Sequence, residues 1–150
     1  MSFAEVMLRI GGALGAWLIL IGHGLILSVL RQADCDPADD ELWMGTLIFG
    51  VFGGLASLLL GLGLQWRATF RWIAVVAAPL ALLALSSVLP AIAATTLGHE
   101  PLCGITATEL PEGLVATGLQ RTWPVVQAVV LGLGLFQMSR YWRASGISGP

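Results

Sequence analysis

The chain has 150 residues, 57% of them hydrophobic and only 11% charged, with a mean hydropathy of +0.86 and a net charge of −2. All seven basic residues are arginine, and they form no basic patch interleaved with aromatics, which argues against a nucleic-acid partner. No GxxxxGK[ST] or HExxH motif is present, and the Gly-Leu-Gly-Leu runs at Gly61 and Gly132 follow no strand, so they are membrane-helix composition and not nucleotide loops.

A bilayer core about 30 Å thick takes roughly 20 mostly apolar helical residues to cross. Residues 7–30, 42–64, 72–94 and 123–142 meet that requirement, which predicts an all-α integral membrane protein, a four-helix bundle forming a single transmembrane domain over 1–150. Before the first span, Glu5 and Arg9 stand four apart and are spaced to pair. Gly11 and Gly15 begin that span with a small-residue pair of the kind that lets helix backbones approach closely.

His23 is the conspicuous polar group within the first span. Gly22 and Gly24 flank it, and its face continues through Ile19, Ala16 and Gly12. Three roles are open to it: a hydrogen-bonded histidine at a helix contact, an axial ligand to haem or a chlorophyll, and a proton or substrate site. No second axial candidate lies in the spans, so the expectation is no cofactor.

The first connection holds Asp34, Cys35, Asp36, Asp39, Asp40 and Glu41. Asp36, Pro37 and Asp39 resemble a helix start, with a side-chain acceptor, a proline and acid in the first turn. Span two carries Gly50 and Gly54, continued by Ser57 and Gly61, as a second close-packing stripe. Arg67 and Arg71 are expected in the short turn that follows. Span three offers Ala74, Ala77, Ala78, Ala81 and Ala84; its Pro79 and Pro90 free the carbonyls of Val75 and Ser86, with Ser86 and Ser87 at hand to satisfy them. Gly98 and Pro101 read as its stop.

The next connection contains Glu100, Cys103, Glu109 and Glu112. Within it, residues 113–120 are expected to form a short surface helix whose apolar side is Leu110, Leu114, Val115 and Leu119. Span four carries Gln127 and Gln137 about one turn from its ends, with Trp123, Tyr141 and Trp142 placed to sit at headgroup level.

Orientation follows from the arginines. Arg9, Arg67, Arg71, Arg140 and Arg143 fall on one side and Arg31 and Arg121 on the other, which puts both termini in the cytoplasm of a bacterial-type inner membrane. Cys35 and Cys103 then share the oxidising side, where a disulfide between them is expected. Free thiols and a metal site with His99 and Asp34 or Asp36 are the alternatives; the chain has no CxxC or HxxxH pair to strengthen the latter, and no metal is expected. The missing CxxC also removes the route by which a membrane thiol oxidoreductase works.

The stretch from Arg9 to Gly24, followed by Gly53, Gly54, Gly61, Gly63 and Arg67, resembles the first half of small four-helix DoxX-type membrane proteins. It departs from them in an Arg9–His23 spacing longer by about a turn and in having no acid within span two, so no functional residue is carried over. The expectation is a non-catalytic membrane subunit or accessory protein, embedded in lipid beside other subunits, with an acidic outer face suited to a basic periplasmic protein. The competing expectation is an oligomeric transporter or channel with a path near His23 and Gln127.

Overall fold

A computed structural model gives the fold and describes residues 2–29, 39–98 and 118–143. Every described residue except Ser2 and Gly98 is helical. The elements are α1 (Phe3–Val29), α2 (Asp39–Leu59) running into a 3-10 segment (Leu60–Trp66), α3 (Arg67–Ile92) ending in a π-helical turn (Ala93–Leu97), and α4 (Gly118–Arg143). Three stretches are long and apolar enough to cross a membrane: Phe3–Leu25, Leu47–Leu97 and Arg121–Arg143.

The middle stretch is 51 residues long, about 77 Å at the α-helical rise and far more than one bilayer core. It does not run straight. Gly53 lies beside His23, while Leu80 lies beside the adjacent residue Gly24, so α2 and α3 flank the same level of α1 and the chain reverses between them. The reversal occupies the 3-10 segment, whose Leu60 and Gly63 are buried. Arg67 and Arg71 are therefore not in the turn, as expected from sequence, but in the opening turns of α3. The glycines at 61 and 63 allow the reversal to sit upstream, where the helix can tighten without side-chain crowding.

α1 and α4 each pack against both α2 and α3. Burial follows a 3.5-residue rhythm most clearly on α3, where Phe70, Ala74, Ala77, Ala81, Ala84, Val88 and Ala91 are buried, and Thr95 continues the same 4-3 spacing. That rhythm is the one that keeps a seam facing its neighbours along the whole helix. The alanines keep the backbones close, and between apolar helices in lipid it is close packing, not the hydrophobic effect, that favours association.

Polarity is inverted relative to a water-soluble fold. Leu8, Leu18, Val51, Leu58, Trp72 and Val76 are exposed, whereas His23, Ser57, Thr95 and Gln127 are buried at 0–1% exposure. Large exposed apolar surface of this extent belongs against lipid. The molecule is thus an all-helical protein with the surface of a membrane protein.

Several sequence expectations are met or corrected in detail. The Glu5–Arg9 pair forms at 3.8 Å. Asp39 opens α2, and Gly98 closes the π turn by donating its N–H to the Ala93 carbonyl at 3.2 Å. Thr95 and Thr96 bond back to the carbonyls of Ala91 and Ile92, the local competition that loosens an α-helical end. Ser86 and Ser87 both donate to the Leu83 carbonyl, so neither serves the carbonyls freed by the prolines. Gly118–Gln120 belong to the first turn of α4 and not to a separate surface helix; residues 113–117 lie outside the described residues.

Two aromatic anchors turn out to be interior groups. Trp123 is 4% exposed and Tyr141 is fully buried, so at whatever depth they lie their rings face other helices and not the surroundings. Tyr141 stacks edge-on against Trp17 at 5.4 Å and donates its hydroxyl to the Leu60 carbonyl at 2.5 Å, so its polar tip is satisfied by the backbone of the reversal. Trp142, one residue on, does reach the surface.

Candidate functional site

His23 reaches the interior because the buried face of α1, through Ala13, Ala16, Trp17 and Leu20, carries on to it at helical spacing. The flanking glycines make the approach of two other helices possible. A side chain at Gly22 would touch the Phe49 ring, and one at Gly24 would press on the Leu80 carbonyl at 3.3 Å. The imidazole accordingly stacks on Phe49 of α2, with centroids 5.1 Å apart and the planes inclined by 18°.

One turn beyond Phe49, Gly53 receives the Nδ1 edge of the ring. A β-carbon there would stand 3.2 Å from His23 Nδ1 and 2.9 Å from Val130 Cγ1 of α4. Gly50 does the same for Gln127: a β-carbon would fall 2.7 Å from its Nε2. Ser57, one turn further along α2, donates to the Gly53 carbonyl at 2.9 Å and approaches the Val130 carbonyl at 3.3 Å. His23, Gln127 and Ser57 thus form one polar zone at the meeting of α1, α2 and α4.

The two residues singled out from sequence as an intramembrane polar site are therefore brought together. Gln127 is the polar neighbour that acts on the imidazole, although neither ring nitrogen makes a hydrogen bond of normal geometry. Both nitrogens are shut off from the surface. A macrocycle needs one imidazole nitrogen open to its metal, and with Phe49 on the ring face and Gly53 at its edge this site has no such opening. The residues do not fit a haem or chlorophyll.

Of the glycines expected to mediate packing, Gly50 and Gly54 face α4, the latter with Val130 Cγ2 at 3.8 Å from its β position, and Gly61 has Gln137 Nε2 at 3.8 Å. Gly11 and Gly15 differ: among the described residues nothing stands within 4 Å of either β position, which leaves contacts between copies as the other place for such a pair to pack. The stripe on α1 that does pack is the alanine-rich one. Gly53 and Gly63 are the close-approach positions that the four-residue pairing rule passed over; the 3.5-residue rhythm would have found Gly53, which falls between Gly50 and Ser57 at spacings of three and four, but not Gly63 in the 3-10 segment.

Cys35, Cys103, Asp34, Asp36, Glu100, Glu109 and Glu112 lie outside the described residues, as does His99. Asp39, Asp40 and Glu41 form the first turn of α2. Among the described residues no group of three His, Cys, Asp or Glu side chains is gathered to hold a metal ion. No family of proteins, no curated protein and no solved structure matches this chain.

Proposed function

We propose that this protein is a small non-catalytic subunit or accessory of a larger assembly in a bacterial-type inner membrane. It crosses the bilayer four times as a bundle, with the 51-residue stretch counted as two spans and both termini in the cytoplasm. Support for that orientation comes from where the arginines gather. Contacts of Gly63 with Ala13 and Tyr141, and of Arg71 with Trp142, put the start of α1, the reversal, the start of α3 and the end of α4 at one end, together with Arg9, Arg67, Arg71, Arg140 and Arg143. On the opposite, periplasmic side Cys35 and Cys103 are joined, and a short helix rests on the surface between spans three and four. There the carboxylates Asp34, Asp36, Asp39, Asp40, Glu41, Glu100, Glu109 and Glu112 present an acidic face to a basic partner, through contacts that salt screens over about 8 Å.

The observation that carries this reading is the enclosure of all four buried polar side chains within helix contacts. Polar groups so placed fix how helices meet and leave recognition to the ends of the molecule. Gentle extraction of the native protein followed by identification of co-migrating chains tests it. Recovery of a stoichiometric partner is the expected result; a discrete, partnerless species after crosslinking in intact membranes refutes it.

A second reading, an oligomeric transporter or channel, is favoured by the juxtaposition of His23 and Gln127 in the interior between the helices. Flux through reconstituted vesicles that persists in His23→Ala and Gln127→Ala variants rules out a path through these groups.

A further inference from the structure

At the arginine-rich end, Arg71 occupies the seam between α3 and α4 with its guanidinium 5.6 Å from the Trp72 ring and 6.0 Å from the Trp142 ring. Rings from two helices therefore hold one cation in place. Attraction to ring faces uses the charge of the guanidinium and not an acceptor, so its N–H groups keep the capacity to donate to an anion. Arg67 lies four residues earlier on the same face of α3 and is exposed. Arg143 follows Trp142 and is steadied by a 2.9 Å hydrogen bond from its Nη2 to Ser139 Oγ.

Charge at this end is unbalanced. Among the described residues the one ion pair is Arg9 with Glu5, and no carboxylate faces Arg67, Arg71, Arg140 or Arg143. Residues 144–150 contain no Asp or Glu. Trp72 and Trp142 are 67% and 45% exposed, unlike the buried Trp17 and Trp123, so the rings that hold Arg71 also meet the surroundings.

We propose that Arg67, Arg71, Trp72 and Trp142 form a binding site for the phosphate of an anionic glycerophospholipid at the α3–α4 seam. The inference rests on the four-span reading, which puts this end at headgroup depth, and is independent of any role in a larger assembly. Arg71 supplies a planar, preset donor edge to the phosphodiester, Arg67 adds a second charge one turn away, and the indole rings sit at the level of the glycerol backbone. The acyl chains then lie along exposed Val75, Val76 and Leu82 of α3.

Mass spectrometry of the detergent-solubilised full-length protein, titrated with dioleoyl-phosphatidylglycerol or dioleoyl-phosphatidylcholine, provides the test. Phosphatidylglycerol is expected to bind preferentially. Arg67→Gln and Arg71→Gln should each weaken it about fivefold, and the pair about 25-fold, on the basis of roughly 1 kcal/mol per basic residue at the headgroup surface. Arg121→Gln, at the opposite end, should leave it unchanged. Arg67 is exposed, so its variant keeps the test usable should Arg71→Gln fail to fold. Equal binding of the two lipids, an equal loss in Arg121→Gln, or displacement of phosphatidylglycerol by excess inorganic phosphate would each overturn the proposal.

Discussion

A single methyl group added at Gly63 should separate three helices. Its β-carbon would stand 2.7 Å from Tyr141 Oη, 2.9 Å from Ala13 Cβ and 3.2 Å from Phe70 Cδ2. Of these neighbours, the Ala13 methyl has no rotamer to change, so α1 itself must move by the better part of an ångström to reach an ordinary carbon–carbon distance of about 3.5–4.0 Å. The tyrosine must yield too, which breaks its hydrogen bond to Leu60. Overpacking costs about 1–3 kcal/mol, and the lost hydrogen bond adds about 0.5–1.5 kcal/mol. Replacing glycine by alanine in a helix returns at most about 1 kcal/mol. Gly63→Ala should therefore destabilise by about 0.5–4.5 kcal/mol, whereas Gly11→Ala, with nothing among the described residues within 4 Å, should be neutral or gain up to about 1 kcal/mol. Reversible unfolding in mixed micelles titrated with dodecyl sulfate measures both. Moving the methyl across the contact, as Ala13→Gly with Gly63→Ala, should recover at least about 1 kcal/mol as a coupling between the sites. Stabilities of Gly63→Ala and Gly11→Ala that agree within error would refute the packing at this reversal.

Other substitutions probe the remaining contacts by the same measurement. Tyr141→Phe keeps the ring against Trp17 but removes the donor to Leu60, and should cost about 0.5–1.5 kcal/mol. Ser57→Ala should cost only about 0.6 kcal/mol, the average for hydrogen bonds between membrane helices, because its better bond is to its own helix. His23→Ala opens a cavity against Phe49 and should cost about 2–4 kcal/mol, with Gly53→Ala better tolerated in that background than alone. For the proposed disulfide, a membrane-impermeant maleimide should label Cys35 and Cys103 together and only after reduction; labelling of either one in the untreated protein contradicts the pairing.

The helical class and the apolar stretches were legible because length and composition alone separate a membrane helix from other structure. The closeness of His23 to Gln127 was not, since it depends on which helices are neighbours. Nothing in either helix alone says that α2, with glycines at 50 and 53, will meet both residues on one face. The face on which α1 is met has the same origin. A small-residue pair says that a backbone can be approached, but the partner helix chooses the face, and α1 is met on Ala13, Ala16 and Gly24 instead. The partner of Tyr141 was hidden for a different reason: an amphipathic ring near a helix end can turn its hydroxyl outward or to a buried carbonyl, and the Leu60 carbonyl became available only through the reversal.

Register accounts for the placement of the buried polar groups. The seam of α3 is nearly uniform alanine from Ala74 to Ala84, so a slide by one heptad sets alanine against much the same surface and costs little. The seam of α2 cannot slide this way. His23 needs the space at Gly53, Gln127 that at Gly50 and Tyr141 that at Gly63, and each is a large group seated on a position where even a β-carbon would be too close. Displacing α1 by a turn brings His23 against Phe49 or Ala56, and a shift of α4 that sets Gln127 on Gly53 competes with His23 for the same space. On this account His23 and Gln127 specify an alignment, and shortening either should loosen the helices and be relieved by compensating changes at Gly53 or Gly50. A path for solutes makes the opposite demand, since truncation would then alter flux at unchanged stability. Measuring stability and flux on the same His23→Ala preparation decides between them.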